Sequence, residues 1–231
     1  MKRIITCTLI LLSFYTNAQK IFSNVREGLL VGSFRHSLTQ LDSCIAKGYQ
    51  KDSAIYYKGL VYYKINNLKE ATNNCGLLFK TYPNFTEAHY LNGLILLSEK
   101  NYDKSIAEFD IVLAKHPNHL NALFNRGNAF GSTGNYKKCI ADLNAITSAK
   151  PMYMQAYFSR AYWYEYTGDH ASAIKDYNTT INIDPKNFDA YIDLATIYRK
   201  QKENVKCCEV LNNAVKAGSQ VAEELKEMFC K

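Results

Sequence analysis

Proline is scarce in this chain, four among 231 residues, and tryptophan occurs once. There is no glycine-rich loop to cradle a phosphate and no Cys-x-x-Cys pair to act as a redox dithiol. No block of five or more like charges occurs, so the basic excess argues for solubility and against a nucleic-acid stripe. The apolar run from Ile4 to Tyr15 has twelve residues, fewer than the roughly 20 that a bilayer-spanning helix needs. The few prolines are the informative feature: Pro83, Pro117, Pro151 and Pro185 stand 34 residues apart. A fixed period of this length is the mark of a helical repeat array, and it reinterprets every other residue.

Small residues keep the same period. Gly59, Gly93, Gly127, Ala161 and Ala195 form one row, and Ser37, Ala71, Ser105, Cys139, Ala173 and Cys207 form a second. Two small positions per repeat let two antiparallel helices approach at the lower end of about 8–10 Å. Around them the apolar spacing is helical, with Tyr62, Leu96, Phe130, Tyr164 and Tyr198 one turn along the same face. Between the helices stand Asn66-Asn67, Lys100-Asn101, Gly134-Asn135 and Gly168-Asp169, residues that tolerate left-handed or side-chain-bonded backbone. Proline closes each unit because it cannot continue a helix.

With an aromatic, a glycine, an aromatic, an alanine and a closing proline at these offsets, the chain resembles the tetratricopeptide repeat family. Leu123, Gly127, Phe130, Gly134, Tyr136, Cys139, Ile140 and Pro151 carry the likeness in one repeat. In the next it rests on Tyr157, Ala161, Tyr164, Gly168, Ala173, Ile174 and Pro185. The expected fold is therefore all-α: a right-handed α-solenoid of about six helix-turn-helix repeats. Its expected parts are a divergent first repeat over 19–51, repeats at 52–85, 86–119, 120–153 and 154–187, a divergent last repeat over 188–219, and a capping helix over 220–231. In that helix Val221, Leu225, Met228 and Phe229 recur along one face, and Ser219 is placed to cap its start.

Residues 1–18 have the basic start, apolar run and small-residue end of a secretory signal, so the chain is expected to be exported, periplasmic or secreted. Losing Lys2 and Arg3 would take 28 basic side chains to 26 against 21 acidic ones, a net charge of +5. Six cysteines would remain. An even number in an oxidising compartment permits disulfides in several connectivities, yet a free cysteine is also a small buried hydrophobe, and buried thiols are the favoured expectation.

No residue pattern here supports catalysis, a metal or a cofactor. His116 and His119 sit three apart in an inter-repeat loop with no third ligand nearby, and His89 and His170 occupy aromatic packing positions. Arg126 with Asp142, and Arg160 with Asp176, share a 16-residue separation. Those are expected to be structural pairs, worth about 0–1 kcal/mol each if exposed.

The resemblance implies a concave surface lined by first-helix residues. Offsets place Tyr56, Tyr63, Tyr90, Phe124, Phe158, Tyr162 and Tyr166 there as anchors, with Asn121, Asn125 and Asn128 available to hold a bound backbone. The lysine, asparagine and arginine clamp that some family members use for acidic C-terminal peptides is absent, and Asp189 and Asp193 put negative charge near the far end. These features point to a non-enzymatic scaffold binding a protein or extended peptide, apolar or aromatic at its centre, and not nucleic acid. The alternatives are a structural subunit of a cell-envelope assembly and, more remotely, a metal- or glycan-active enzyme. The rings could also pack on one another, leaving the groove narrow.

Overall fold

A tight reversal between helices needs a residue that accepts left-handed backbone. Gly32, Asn66, Lys100, Gly134, Gly168 and Lys202, one every 34 residues, have φ between 58° and 83°. The residue after each sends its N–H back five positions: Ser33 to Gly28, Asn67 to Tyr62, Asn101 to Leu96, Asn135 to Phe130, Asp169 to Tyr164 and Glu203 to Tyr198, at 2.8–2.9 Å. Each bond satisfies a carbonyl that the helix end would otherwise leave open. Asn67, Asn135 and Asp169 then start the next helix, their side chains accepting from a backbone N–H three residues on.

The computed structural model describes residues 19–230; the signal segment expected over 1–18 lies outside them. Among the described residues the chain forms thirteen helices and no strand. They are α1 (19–31), α2 (Phe34–Lys47), α3 (Lys51–Lys64), α4 (Leu68–Thr81), α5 (Thr86–Ser98), α6 (Tyr102–Lys115) and α7 (Leu120–Ser132). There follow α8 (Tyr136–Ala149), α9 (Met154–Tyr166), α10 (His170–Ile183), α11 (Phe188–Lys200), α12 (Asn204–Lys216) and α13 (Gln220–Phe229). The architecture is the all-α solenoid of helical hairpins that the period predicts. Two compact units divide between Pro117 and Asn118.

In the first unit, α3 packs on α4 and α5, and α5 on α6. Phe22 and Val25 of α1 join Leu41 and Cys44 of α2 and Val61 of α3 in one buried cluster. The helices approach closely at Gly93, where an added Cβ would lie 2.6 Å from the buried ring of Phe109. Ser105, in the second small row, seals this contact by donating to the Gly93 carbonyl at 2.8 Å.

In the second unit, α7 packs on α8 and α9, and each later helix packs on its predecessor through α13. Tyr177, Leu194 and Ile197 are fully buried between α10 and α11. Ser219 caps α13, accepting from Ala222 N–H at 3.2 Å. The packed face of α13 is turned by about one residue from the expected one. Ala222, Leu225 and Phe229 meet the cluster containing Cys207, Leu211 and Ala214, while Val221 and Met228 are exposed. Ala222 is fully buried there, its single methyl taking little space.

One polar contact recurs at the period. Asn92 donates to Glu108 at 2.9 Å. Arg126 forks onto Asp142 at 2.8 and 2.7 Å, and Arg160 onto Asp176 at 2.6 and 2.8 Å. The equivalent residues of the last hairpin, Leu194 and Val210, are apolar. These pairs are structural, as expected, but they are not surface pairs: the Asp142 and Asp176 side chains are only 9% and 4% exposed. A bidentate, charge-assisted contact at that depth constrains geometry far more than an exposed ion pair does.

The cysteines among the described residues divide in two. Cys208 and Cys230 form a disulfide that ties α12 to the end of α13. Cys44, Cys75, Cys139 and Cys207 are buried thiols, and burial pushes Cys75 and Cys139 up to about 12, so both stay protonated and unreactive.

Candidate functional site

Successive first helices of the second unit, α7, α9 and α11, present one residue set per turn. On α7 the set is Asn121, Asn125 and Asn128. On α9 it is Phe158, Tyr162, Glu165 and Tyr166, and on α11 it is Asp189, Asp193, Thr196 and Lys200, all at helical i, i+3, i+4 spacing.

The best-defined feature is an aromatic group at the C-terminal end of α9. Trp163 fits against α7 because Gly131 has no side chain; a Cβ there would come within 2.4 Å of the indole. The indole Nε1–H donates to Asn128 Oδ1 at 3.0 Å. The amide nitrogen of Asn128 donates in turn to the Phe124 carbonyl at 3.0 Å. Around this fixed indole stand Tyr162 at 4.9 Å, Tyr166 at 6.0 Å and Tyr136 at 6.0 Å between ring centroids. Tyr162 is 47% exposed and Tyr166 64% exposed. Burial and a hydrogen bond with Tyr166 push the Tyr136 hydroxyl above its ordinary value.

Beside the rings is an acidic cluster. Lys200 donates to Glu165 at 2.9 Å, and the buried Tyr177 hydroxyl donates to the other Glu165 oxygen at 3.3 Å. Asp193 also faces the Tyr177 hydroxyl. Burial, and then the Glu165 charge, push Asp193 up to about 6.

The other sequence-selected residues are placed less openly. Tyr90 is 8% exposed and lies against Phe109, so it is a packing residue and presents no anchor surface. Tyr56 rests between Tyr57 and Phe85, and burial pushes its hydroxyl well above the usual value. Phe158 is edge-on to Tyr177, and Phe124 leans on Tyr153. Tyr63 is half-buried, its hydroxyl accepting from Ser98 at 3.4 Å. Asn121 accepts from the Tyr153 hydroxyl at 3.3 Å, and Asn125 donates to the Asn121 carbonyl at 2.7 Å. At this row of positions the rings mostly cover one another; Tyr162 and Tyr166 are the selected aromatics that stay exposed. Trp163 and Gly131 escaped the sequence reading. A glycine one turn beyond Gly127 was the available signal.

Two of the histidines make defined contacts within the fold. His89 meets Glu108 at 2.7 Å and Phe79 edge-on, and His119 caps α7 by accepting from Ala122 N–H at 3.0 Å. Among the described residues no group of three or more His, Cys, Asp or Glu is placed to hold a metal ion. None of the described helices is long and apolar enough to cross a membrane.

Tetratricopeptide repeat profiles match residues 90–151, 155–187 and 177–209. The chain belongs to the tetratricopeptide repeat family. Tetratricopeptide repeats are protein-interaction modules, and in that general sense this chain is a scaffold that binds proteins or peptides. Among curated protein sequences none matches it. Solved structures do. A thermophilic tetratricopeptide repeat protein of Thermus thermophilus is 15% identical, with a TM-score of 0.66 over 78% of this chain and 98% of its own. Pseudomonas aeruginosa PilF is 16% identical, with a TM-score of 0.65 over 73% of this chain and 77% of its own. A tetratricopeptide repeat protein of Parabacteroides merdae is 14% identical, with a TM-score of 0.59 over 94% of this chain and 100% of its own. At such identities the likeness is one of fold.

Proposed function

We propose that this tetratricopeptide repeat chain is an exported, non-enzymatic docking scaffold that captures another protein or an extended peptide on the inner faces of α7, α9 and α11. The observation that carries the reading is the pair Tyr162 and Tyr166, both exposed on a backing held by Trp163 and Asn128. Exposed aromatics on a preformed support lose little conformational freedom on binding, which is where interface energy concentrates. The Cys208–Cys230 disulfide supports an oxidising compartment. Carboxylates at Glu165, Asp189 and Asp193 on the same face favour a protein or peptide over nucleic acid.

The test is affinity capture from the exported fraction with wild type and a Tyr162→Ala, Tyr166→Ala variant, followed by direct titration of each captured protein after purification. One protein that binds wild type directly and the variant about tenfold more weakly or worse supports the reading. Equal binding by both, with both folded, excludes this face.

A further inference from the structure

The inner face of the second unit is aromatic on one side and electrically unbalanced on the other. Tyr162, Glu165 and Tyr166 share one stripe of α9, and Lys200 of α11 reaches across to Glu165. Glu165 and Asp193 therefore share the Lys200 ammonium, and Asp189 adds a third carboxylate one turn before Asp193 on α11. Glu165 and Asp193 both face the Tyr177 hydroxyl, which has one proton and can donate to one of them at a time. With Lys200 bonded to Glu165, Asp193 is the half-buried carboxylate left without a donor whenever the Tyr177 proton goes to Glu165. Lys200 is mostly exposed. The neighbouring tyrosine faces are negative at their centres and attract a cation as well.

Building on the docking reading above, we infer that the occupant of this face is an extended peptide segment with a lysine or arginine next to an aromatic or aliphatic residue. The cation sits between Glu165 and Asp193, and its apolar neighbour lies on Tyr162 and Tyr166. Charge complementarity selects this occupant: an acidic peptide would add a fourth negative charge, and a purely apolar one would cover carboxylates without pairing them. Asn128, with its acceptor held by Trp163, stands on α7 at the other side of the rings.

The experiment is selection of a displayed random heptapeptide library on the full chain, then calorimetric titration of the best synthetic peptide. Enrichment of Lys or Arg beside an aromatic or aliphatic residue is the expected result. Affinity should then fall about tenfold or more with Asp193→Asn or Glu165→Gln, each checked for an unchanged helical spectrum. It should fall again between pH 7.5 and pH 5, as Asp193 takes up its proton; the groups facing Asp193 are Glu165 on α9, Tyr177 on α10, and Asp189 and Lys200 on α11. Enrichment of apolar peptides without a cation, binding lost in the tyrosine variants but kept in Asp193→Asn, overturns the cation inference and leaves the docking face standing. Enrichment of acidic peptides overturns it too. No enrichment, or a self-associated dimer that Tyr162→Ala with Tyr166→Ala dissolves, removes peptide binding altogether.

Discussion

Breaking the Cys208–Cys230 link isolates what the disulfide contributes at the end of the solenoid. The two cysteines are 22 residues apart, and closing a loop of that length restricts the unfolded chain by about 3 kcal/mol. In the folded chain α13 is otherwise held by Ala222, Leu225 and Phe229 against the last hairpin, by the Ser219 cap, and by the Arg199 guanidinium 4.0 Å above the Phe229 ring. Those contacts are few for a ten-residue helix, so the loss should appear first as opening of α13. The suitable perturbation is Cys208→Ser with Cys230→Ser, since a single substitution leaves a reactive thiol. Cys207 cannot replace Cys208, because adjacent residues on a helix point about 100° apart and Cys207 faces the core. Hydrogen exchange read by mass spectrometry should show amides of α13 opening faster while those of α9 and α10 are unchanged. Urea unfolding of the second unit should shift by up to about 3 kcal/mol. Identical exchange in α13 and an identical urea midpoint would refute the loop-closure argument. Alkylation of both thiols in unreduced protein would refute the disulfide itself.

Three further perturbations have worked expectations. Arg160→Met strands the Asp176 carboxylate and should cost about 3–5 kcal/mol by urea unfolding, most of it recovered in Arg160→Met with Asp176→Leu; an unaffected single variant would show the fork to be incidental. Gly131→Ala drives a methyl into the Trp163 indole and should destabilise by about 1–3 kcal/mol, read as a lower melting temperature. Asp193 holds its proton up to about 6 when folded against an ordinary 3.8, so the folded chain binds more protons between those values and stability falls as pH rises through them. Asp193→Asn should therefore stabilise the protein at pH 7 by about 1 kcal/mol, discounted for partial exposure, and make little difference near pH 3; comparison of urea midpoints at the two pH values decides it.

The architecture was legible because its determinants are local and repeated. A left-handed turn residue and two small positions recur at Asn66, Gly59 and Ala71 and again 34 residues on, where Lys100 takes the left-handed position without being glycine. The site was harder to read because exposure depends on what covers a side chain from elsewhere in the fold. Tyr90 and Tyr162 are both aromatic first-helix residues with groove-lining offsets, yet Tyr90 is buried against Phe109 whereas Tyr162, edge-on to Trp163, stays exposed. The depth of Asp142 and Asp176 was invisible for the same reason: spacing identified their partners but not their surroundings. Among the cysteines, the small-row position of Cys207 marked it as buried, whereas the pairing of Cys208 with Cys230 depends on where α13 folds back.

Trp163 is the chain's single indole, largely buried and hydrogen-bonded, with the exposed Tyr162 and Tyr166 as its neighbours. Its emission therefore reports on one known place in the molecule. Anything that settles on those two tyrosines, or loosens the bond to Asn128, should change its wavelength or intensity. The protein thus carries an intrinsic optical probe at the surface proposed for docking, and titrations there need no attached dye.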